Sequence, residues 1–272
     1  MVIETLVSGA IAATAHSATF VPPTIDEFYP PDVLFAGTPF ALNRILLIRL
    51  VSVAALLVFG WLGVRRLKVV PGRWQGVLEF AYDFVRSSIV EGPLGKRQGR
   101  RFEPLLMTIF FMILFMNVTS VIPGLQVPST ALIGGPFLLG IASWAAFVYA
   151  GIKDQGGWHF FVHELFPKGV PWPLYILIAP VEFISTFIFR PLTLALRLTM
   201  NMFVGHLLLA LLFGATSFFL FEMPVMWKAA GLGMFLFGFI FTLFELFMAG
   251  LQTYIFTLLT ANYIQMSLAQ EH

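Results

Sequence analysis

Two long apolar stretches constrain this chain more than anything else in it. They run roughly over residues 174–214 and 227–268, and a short region holding Glu222, Pro224 and Lys228 joins them. A hydrocarbon core is about 30 Å thick and a helix rises about 1.5 Å per residue, so either stretch as one helix would be about 60 Å long, twice the crossing distance. Two geometries accommodate this. Each stretch is one steeply tilted helix, or each is a hairpin of two ordinary spans. In the hairpin, RPLTLALR (190–197) becomes a turn whose arginines are wet. Hydropathy leaves both open.

The rest of the sequence agrees with lipid as the solvent. Of 272 residues, 58% are hydrophobic and only 11% charged, and the mean hydropathy is +0.88. A soluble domain carries roughly 25% charged residues, so too little polar surface remains to face water. The pI near 9.0 does not indicate nucleic acid. The net charge is only +2, and nine of the sixteen Lys and Arg fall between Arg65 and Arg101. A basic cluster beside apolar spans is an orientation signal or a headgroup contact. Nucleic-acid partners are excluded because the aromatics lie in apolar runs rather than among basic residues. Cysteine is absent, which removes disulfides and thiolate metal sites.

Five crossings are expected. Residues 1–43 read as an extracytoplasmic segment, acidic through Glu4, Asp26, Glu27 and Asp32 and interrupted by prolines; no basic residue precedes its mildly apolar start, so a signal peptide is not expected. Helix 1 spans 44–66, with Arg49 one turn inside and able to snorkel. Residues 73–91 follow a helical stripe of Trp74, Val77, Leu78, Ala81, Phe84, Val85 and Ile89, with Glu79, Asp83 and Arg86 on other faces. That is an interfacial amphipathic helix, too charged to cross. Helices at 104–122 and 132–152 follow, then a loop over 153–173 broken by Gly156-Gly157 and prolines 167, 171 and 173. The basic loops place 65–101 and 153–173 in the cytoplasm, the N-terminus outside and the C-terminus inside. The fold class is all-α integral membrane, as a single membrane domain.

Few polar groups lie deep in the last two stretches: Glu182, Arg190, Arg197, Asn201, His206, Glu245 and Gln252. A charge at mid-membrane costs from about 2.5 to above 10 kcal/mol, so such groups line a polar cavity or pair. Glu182 and Arg190 lie close enough to a stretch end to snorkel; Arg197 does not if the stretch is one helix. Glu245 and Gln252 are seven apart, two turns on nearly one face. No metal site follows from His159 and His163, since H-x3-H lacks further ligands. No cofactor is expected. Nor is a nucleotide site, in the absence of a G-x4-G-K-[ST] loop.

Several segments resemble subunit a of bacterial F-type ATP synthases. TLALRLTMNMFVGH (193–206) is similar to the family's signature, a Leu-Arg-Leu triplet with Asn three residues on. PVEFIS (180–185) resembles its upstream acidic motif, and Asn117 with Pro123 its Asn-to-Pro motif. FELFMAGLQTYIFTLLTANYIQMSLAQEH resembles its C-terminal helix. Met200 stands where relatives commonly have Gly, and Ser120 where Asp is frequent.

The resemblance implies two long tilted helices wrapping a ring of c subunits, with peripheral-stalk b subunits and lipid as further partners, in the bacterial plasma membrane. It implies a non-catalytic proton-conducting stator with two aqueous half-channels. Arg197 matches the essential arginine, and Gln252 a glutamine facing it. Glu245, His206 and Asn117 are implied in the outer half-channel, Glu182 and Ser185 in the inner one, and Asn201 belongs to the signature. His206 stands where the family is often acidic and Glu245 where some relatives carry His, which suggests a relay pair with exchanged partners. A secondary transporter, the main rival, requires broken helices and internal repeats, and no repeated pair is present. A structural anchor leaves the polar groups around Arg197 unexplained.

Overall fold

The computed structural model describes residues 20, 22–24, 32–34, 42–65, 72–120, 122, 129–165 and 174–268. Pro123, Lys168, the three loop prolines and the terminal Glu271-His272 lie outside them. Asn43 starts the first helix: its side-chain oxygen accepts the Leu46 backbone N–H at 2.9 Å, satisfying a donor the helix cannot use itself. Helix α1 then covers Arg44–Arg65. Before it, β1 (Asp32–Leu34) pairs antiparallel with β2 (Leu42–Asn43), Asp32 opposite Asn43.

The amphipathic segment forms α2 (Arg73–Val85) and a wide π turn, Arg86–Glu91. The helix α3 (Gly92–Val118) follows, kinked at Gly95, where φ is +68°, a value that suits glycine. Next come α4 (Gly134–Gln155) and α5 (Gly157–Leu165). The helix α5 corrects the expected loop over 153–173. Gly156, at φ +85°, ends α4, and the breakers around α5 hide what stabilises it. Phe160 is buried against Phe147, with ring centres 5.5 Å apart. Phe161 stacks on Phe187 at 5.7 Å.

From Tyr175 the helix is continuous. It comprises α6 (Tyr175–Phe183), a π turn at Ile184–Phe189, α7 (Arg190–Ser217) and a second π turn at Phe218–Glu222. RPLTLALR is therefore helical, and the hairpin geometry is excluded for this stretch. The last helix, α8 (Lys228–Leu268), is 41 residues long, so the second stretch is also one helix. Five helical segments are long and apolar enough to cross a membrane, ending with Tyr175–Glu222 and Val225–Leu268.

The chain divides into two compact units. In the larger, which runs from Phe28 to His206 and from Glu245 to the end, one cluster joins Val85, Ile89 and Val90 to Phe102 and Leu106 of α3, Ala146 and Ala150 of α4, and Ala261 and Ile264 of α8. A second joins Ile109 and Ile113, Leu139, Leu194, Leu198 and Phe256. In lipid, helices associate through close packing and internal hydrogen bonds rather than through the hydrophobic effect. Both devices are present. A Cβ on Gly140 would lie 2.7 Å from the Pro191 carbonyl oxygen, so α4 and α7 touch backbone to backbone. Ser143 donates to the Thr260 hydroxyl at 2.8 Å, and Ser267 to the Phe147 carbonyl at 3.0 Å.

In the smaller unit, Gly231 meets Leu220 and Phe219, Gly238 meets Phe213, and the rings of Phe213 and Phe235 lie 6.4 Å apart.

Arg49 differs from expectation. Instead of snorkelling, it donates from Nε to the Ser129 carbonyl and from Nη2 to that of Leu132, both at 2.9 Å. It ties α1 to the segment entering α4.

Candidate functional site

The site is built where α7 crosses α8, within the larger unit. Two contacts set the register. Leu194 and Leu198 pack in one cluster with Phe256, and Gly205 lies against Glu245, whose Oε1 would be 3.4 Å from a Cβ there. Between these contacts fall Asn201 on α7 and Ala249 and Gln252 on α8. On α8 the residues Glu245, Ala249, Gln252, Phe256 and Thr260 are all buried, and their spacing of three and four makes one continuous stripe. From α3, buried Asn117 reaches this stripe by donating from Nδ2 to the Ala249 carbonyl at 3.3 Å, while its Oδ1 accepts from Thr130 at 2.9 Å.

Three of the residues singled out from the sequence, Asn117, Glu245 and Gln252, are thus brought together along two turns of α8, with Asn201 one turn before Gly205 on α7 and His206 one residue past that contact. The polar character of this crossing is not internally neutralised. Both Glu245 oxygens, Asn201 Nδ2 and Gln252 Nε2 are buried with no hydrogen-bond partner among the described residues. Buried polar atoms are rarely left so, and a bound water, an ion or a functional role accounts for such cases.

Arg197 behaves differently. It is exposed on α7 while its neighbours Leu194, Ala195, Leu198 and Thr199 are buried. It stands near the middle of the stretch Tyr175–Glu222, with its side chain on the outer flank. Glu182 and Ser185 are half-buried and lie about 20 Å back along the helix by its rise per residue. His206, also half-buried, lies about 13 Å in the opposite direction. The polar residues therefore form two groups along one helix, with Arg197 between them.

Arg190 does not belong to this set. It pairs with Glu164 of α5 at 3.1 Å, and its guanidinium lies 5.2 Å from the Phe147 ring centre and 5.4 Å from that of Tyr263. The pair is interior, since both side chains are under a fifth exposed, so of the two readings open from sequence Arg190 pairs rather than snorkels. His159 is exposed on α5.

Sequence reasoning passed over Gly205, Thr186 and Thr199. Thr186 and Thr199 each bury a hydroxyl without a partner, Thr186 inside the π turn. A lone glycine between Val204 and His206 was the available sign of a close helix contact.

Comparison with known proteins identifies the family. The family model described as ATP synthase A chain matches residues 46–265. The ATP synthase subunit a of Rhodococcus erythropolis is 43% identical over 260 residues, covering 95% of this chain and 94% of that one. That of Frankia alni is 38% identical, covering 93% and 88%, and that of Pseudarthrobacter chlorophenolicus 34%, covering 94% and 96%.

The chain belongs to the ATP synthase subunit a family.

It is accordingly the proton-channel component of the Fo sector, one member of a multisubunit complex, and a multi-pass membrane protein.

Proposed function

We propose that this subunit a conducts protons by two half-channels reaching different carboxylates on a neighbouring ring of c subunits, and that Arg197 bars the direct path between them. The observation that carries this reading is the exposed guanidinium at mid-span, with one polar group on either side of it along the helix. A guanidinium stays protonated over the whole accessible pH range, so it acts as a fixed charge rather than a relay. At a flank of the chain it can attract a ring carboxylate into its ionised form without surrendering a proton. Gln252 supports it with an amide that neutralises nothing.

In this reading His206, Glu245 and the amides of Asn117 and Asn201 line the outer half-channel, and Glu182 with Ser185 the inner one. The N-terminus is outside and the C-terminus cytoplasmic, b subunits complete the stator, and the chain performs no catalysis itself. Every proton that crosses releases about 2.3 kcal/mol per 100 mV, and only a blocked straight path turns that release into rotation.

The test is Arg197→Ala in the assembled complex, reconstituted into liposomes. Synthesis driven by an imposed proton gradient is expected to disappear, with passive proton leak rising. Arg197→Lys is expected to recover little, because a desolvated ammonium can shed its proton. Sustained synthesis in Arg197→Ala would overturn the reading.

A further inference from the structure

A second cationic group lies away from the α7–α8 crossing. At the basic end of the apolar part of α3, the Arg101 guanidinium carbon is 5.1 Å from the Phe102 ring centre and 5.2 Å from that of Tyr149 on α4. Lys153, one turn further along α4, holds its ammonium 5.6 Å from the same Tyr149 ring and 3.4 Å from its hydroxyl. Two cations from two helices therefore share one aromatic ring. Cation–π attraction is worth about 0.5–2 kcal/mol per pair, and two like charges on one ring leave room for an anion between them.

No described carboxylate forms an ion pair with either cation. The nearby Glu103 is engaged by Tyr82 and Arg86. Arg101 Nη2 is buried and has no hydrogen-bond partner among the described residues. An anion between the two side chains would relieve the repulsion and take up that donor, as bidentate guanidinium recognition of phosphate does.

The surroundings indicate which anion. Along α4, Leu138, Ile141, Ala145, Tyr149 and Ile152 are exposed at turn-to-turn spacing, forming an apolar track that ends at the cations. The helix itself is one of the segments long and apolar enough to cross a membrane, so the track suits contact with acyl chains. Basic residues beside aromatic ones at the edge of a span suit a phospholipid headgroup. A free phosphate would have no use for the track. We propose that Arg101, Tyr149 and Lys153 bind the phosphate of an anionic phospholipid, with an acyl chain laid along the exposed stripe of α4.

The experiment uses the assembled complex in phosphatidylcholine nanodiscs containing a trace of phosphatidylglycerol with a photoactivatable acyl chain, or the phosphatidylcholine counterpart of that probe. Label on the peptide spanning 134–155 is read by mass spectrometry. The phosphatidylglycerol probe is expected to label it more strongly, on the order of tenfold, and excess inorganic phosphate is expected not to compete. Arg101→Gln with Lys153→Gln should reduce the label to the phosphatidylcholine level, whereas Arg101→Lys with Lys153→Arg should keep most of it. Equal labelling by the two probes in the unaltered complex overturns the proposal, and this comparison decides even where the double glutamine variant fails to assemble. Undiminished labelling of the glutamine variant overturns it too. So does displacement by inorganic phosphate, which marks a free-anion site. Label that appears only after other subunits are removed also overturns it, because a protein partner then covers the cations.

Discussion

The carboxylate of Glu245 rests on Gly205: a Cβ built on that glycine would lie 3.4 Å from Oε1 and 3.5 Å from Cδ and Cγ. The absence of a side chain on one helix is the space the acid on the other occupies. A methyl group at those distances is an ordinary contact, so Gly205→Ala should retain ATP-driven proton pumping and gain about 0.5–1 kcal/mol from helix propensity. Gly205→Leu has nowhere to go without moving the acid. Pumping should fall on the order of tenfold or more, since small misplacements of a functional group carry large rate penalties. Proton uptake by inverted vesicles measures both.

Glu245 makes that contact and His206 follows Gly205 in the chain, and the relay reading makes each necessary. His206→Ala and Glu245→Gln should each lower proton flux by about tenfold or more, the scale on which positioned proton-transfer groups act. The exchanged pair, His206→Glu with Glu245→His, should recover part of the loss. If both single variants conduct normally in liposomes energised with a potassium gradient, the relay is wrong.

Asn117 is held on both sides, by the Ala249 carbonyl and the Thr130 hydroxyl. Asn117→Leu removes both hydrogen bonds and leaves Thr130 a buried donor without its partner, at a cost of about 1–3 kcal/mol. The complex should lose its proton-pumping activity at a lower temperature in a thermal-inactivation series. Asn117→Asp, which preserves the acceptor for Thr130, should be milder.

Gly140 admits no Cβ without backbone movement, because the atom it would strike is the Pro191 carbonyl oxygen at 2.7 Å. Gly140→Val should destabilise by about 1–3 kcal/mol through overpacking. The change should appear as reduced assembly of the complex and earlier thermal unfolding, with any surviving complex still coupled.

The sequence exposed the long elements well and the contacts between them poorly. The final two helices were open to two geometries by hydropathy alone, and only the resemblance through TLALRLTMNMFVGH favoured single helices. The polar residues of the crossing were legible because a carboxylate or an amide within an apolar run is conspicuous wherever it points. Their partners were not. Arg49 finds two carbonyls 80 and 83 residues away, and Arg190 finds Glu164 on a helix concealed among glycines and prolines. The π turns at Ile184–Phe189 and Phe218–Glu222 leave no mark in periodicity, since one extra residue in a uniformly apolar helix shifts no stripe that can be seen.

The outward position of Arg197 bears on how the complex is put together. A newly inserted copy of this chain carries an uncovered positive charge into the bilayer, a burden of at least about 2.5 kcal/mol until an acid comes to meet it. Under the proposed mechanism, the residue that gates the protons also makes a solitary subunit uncomfortable in lipid and rewards docking against a carboxylate-bearing rotor.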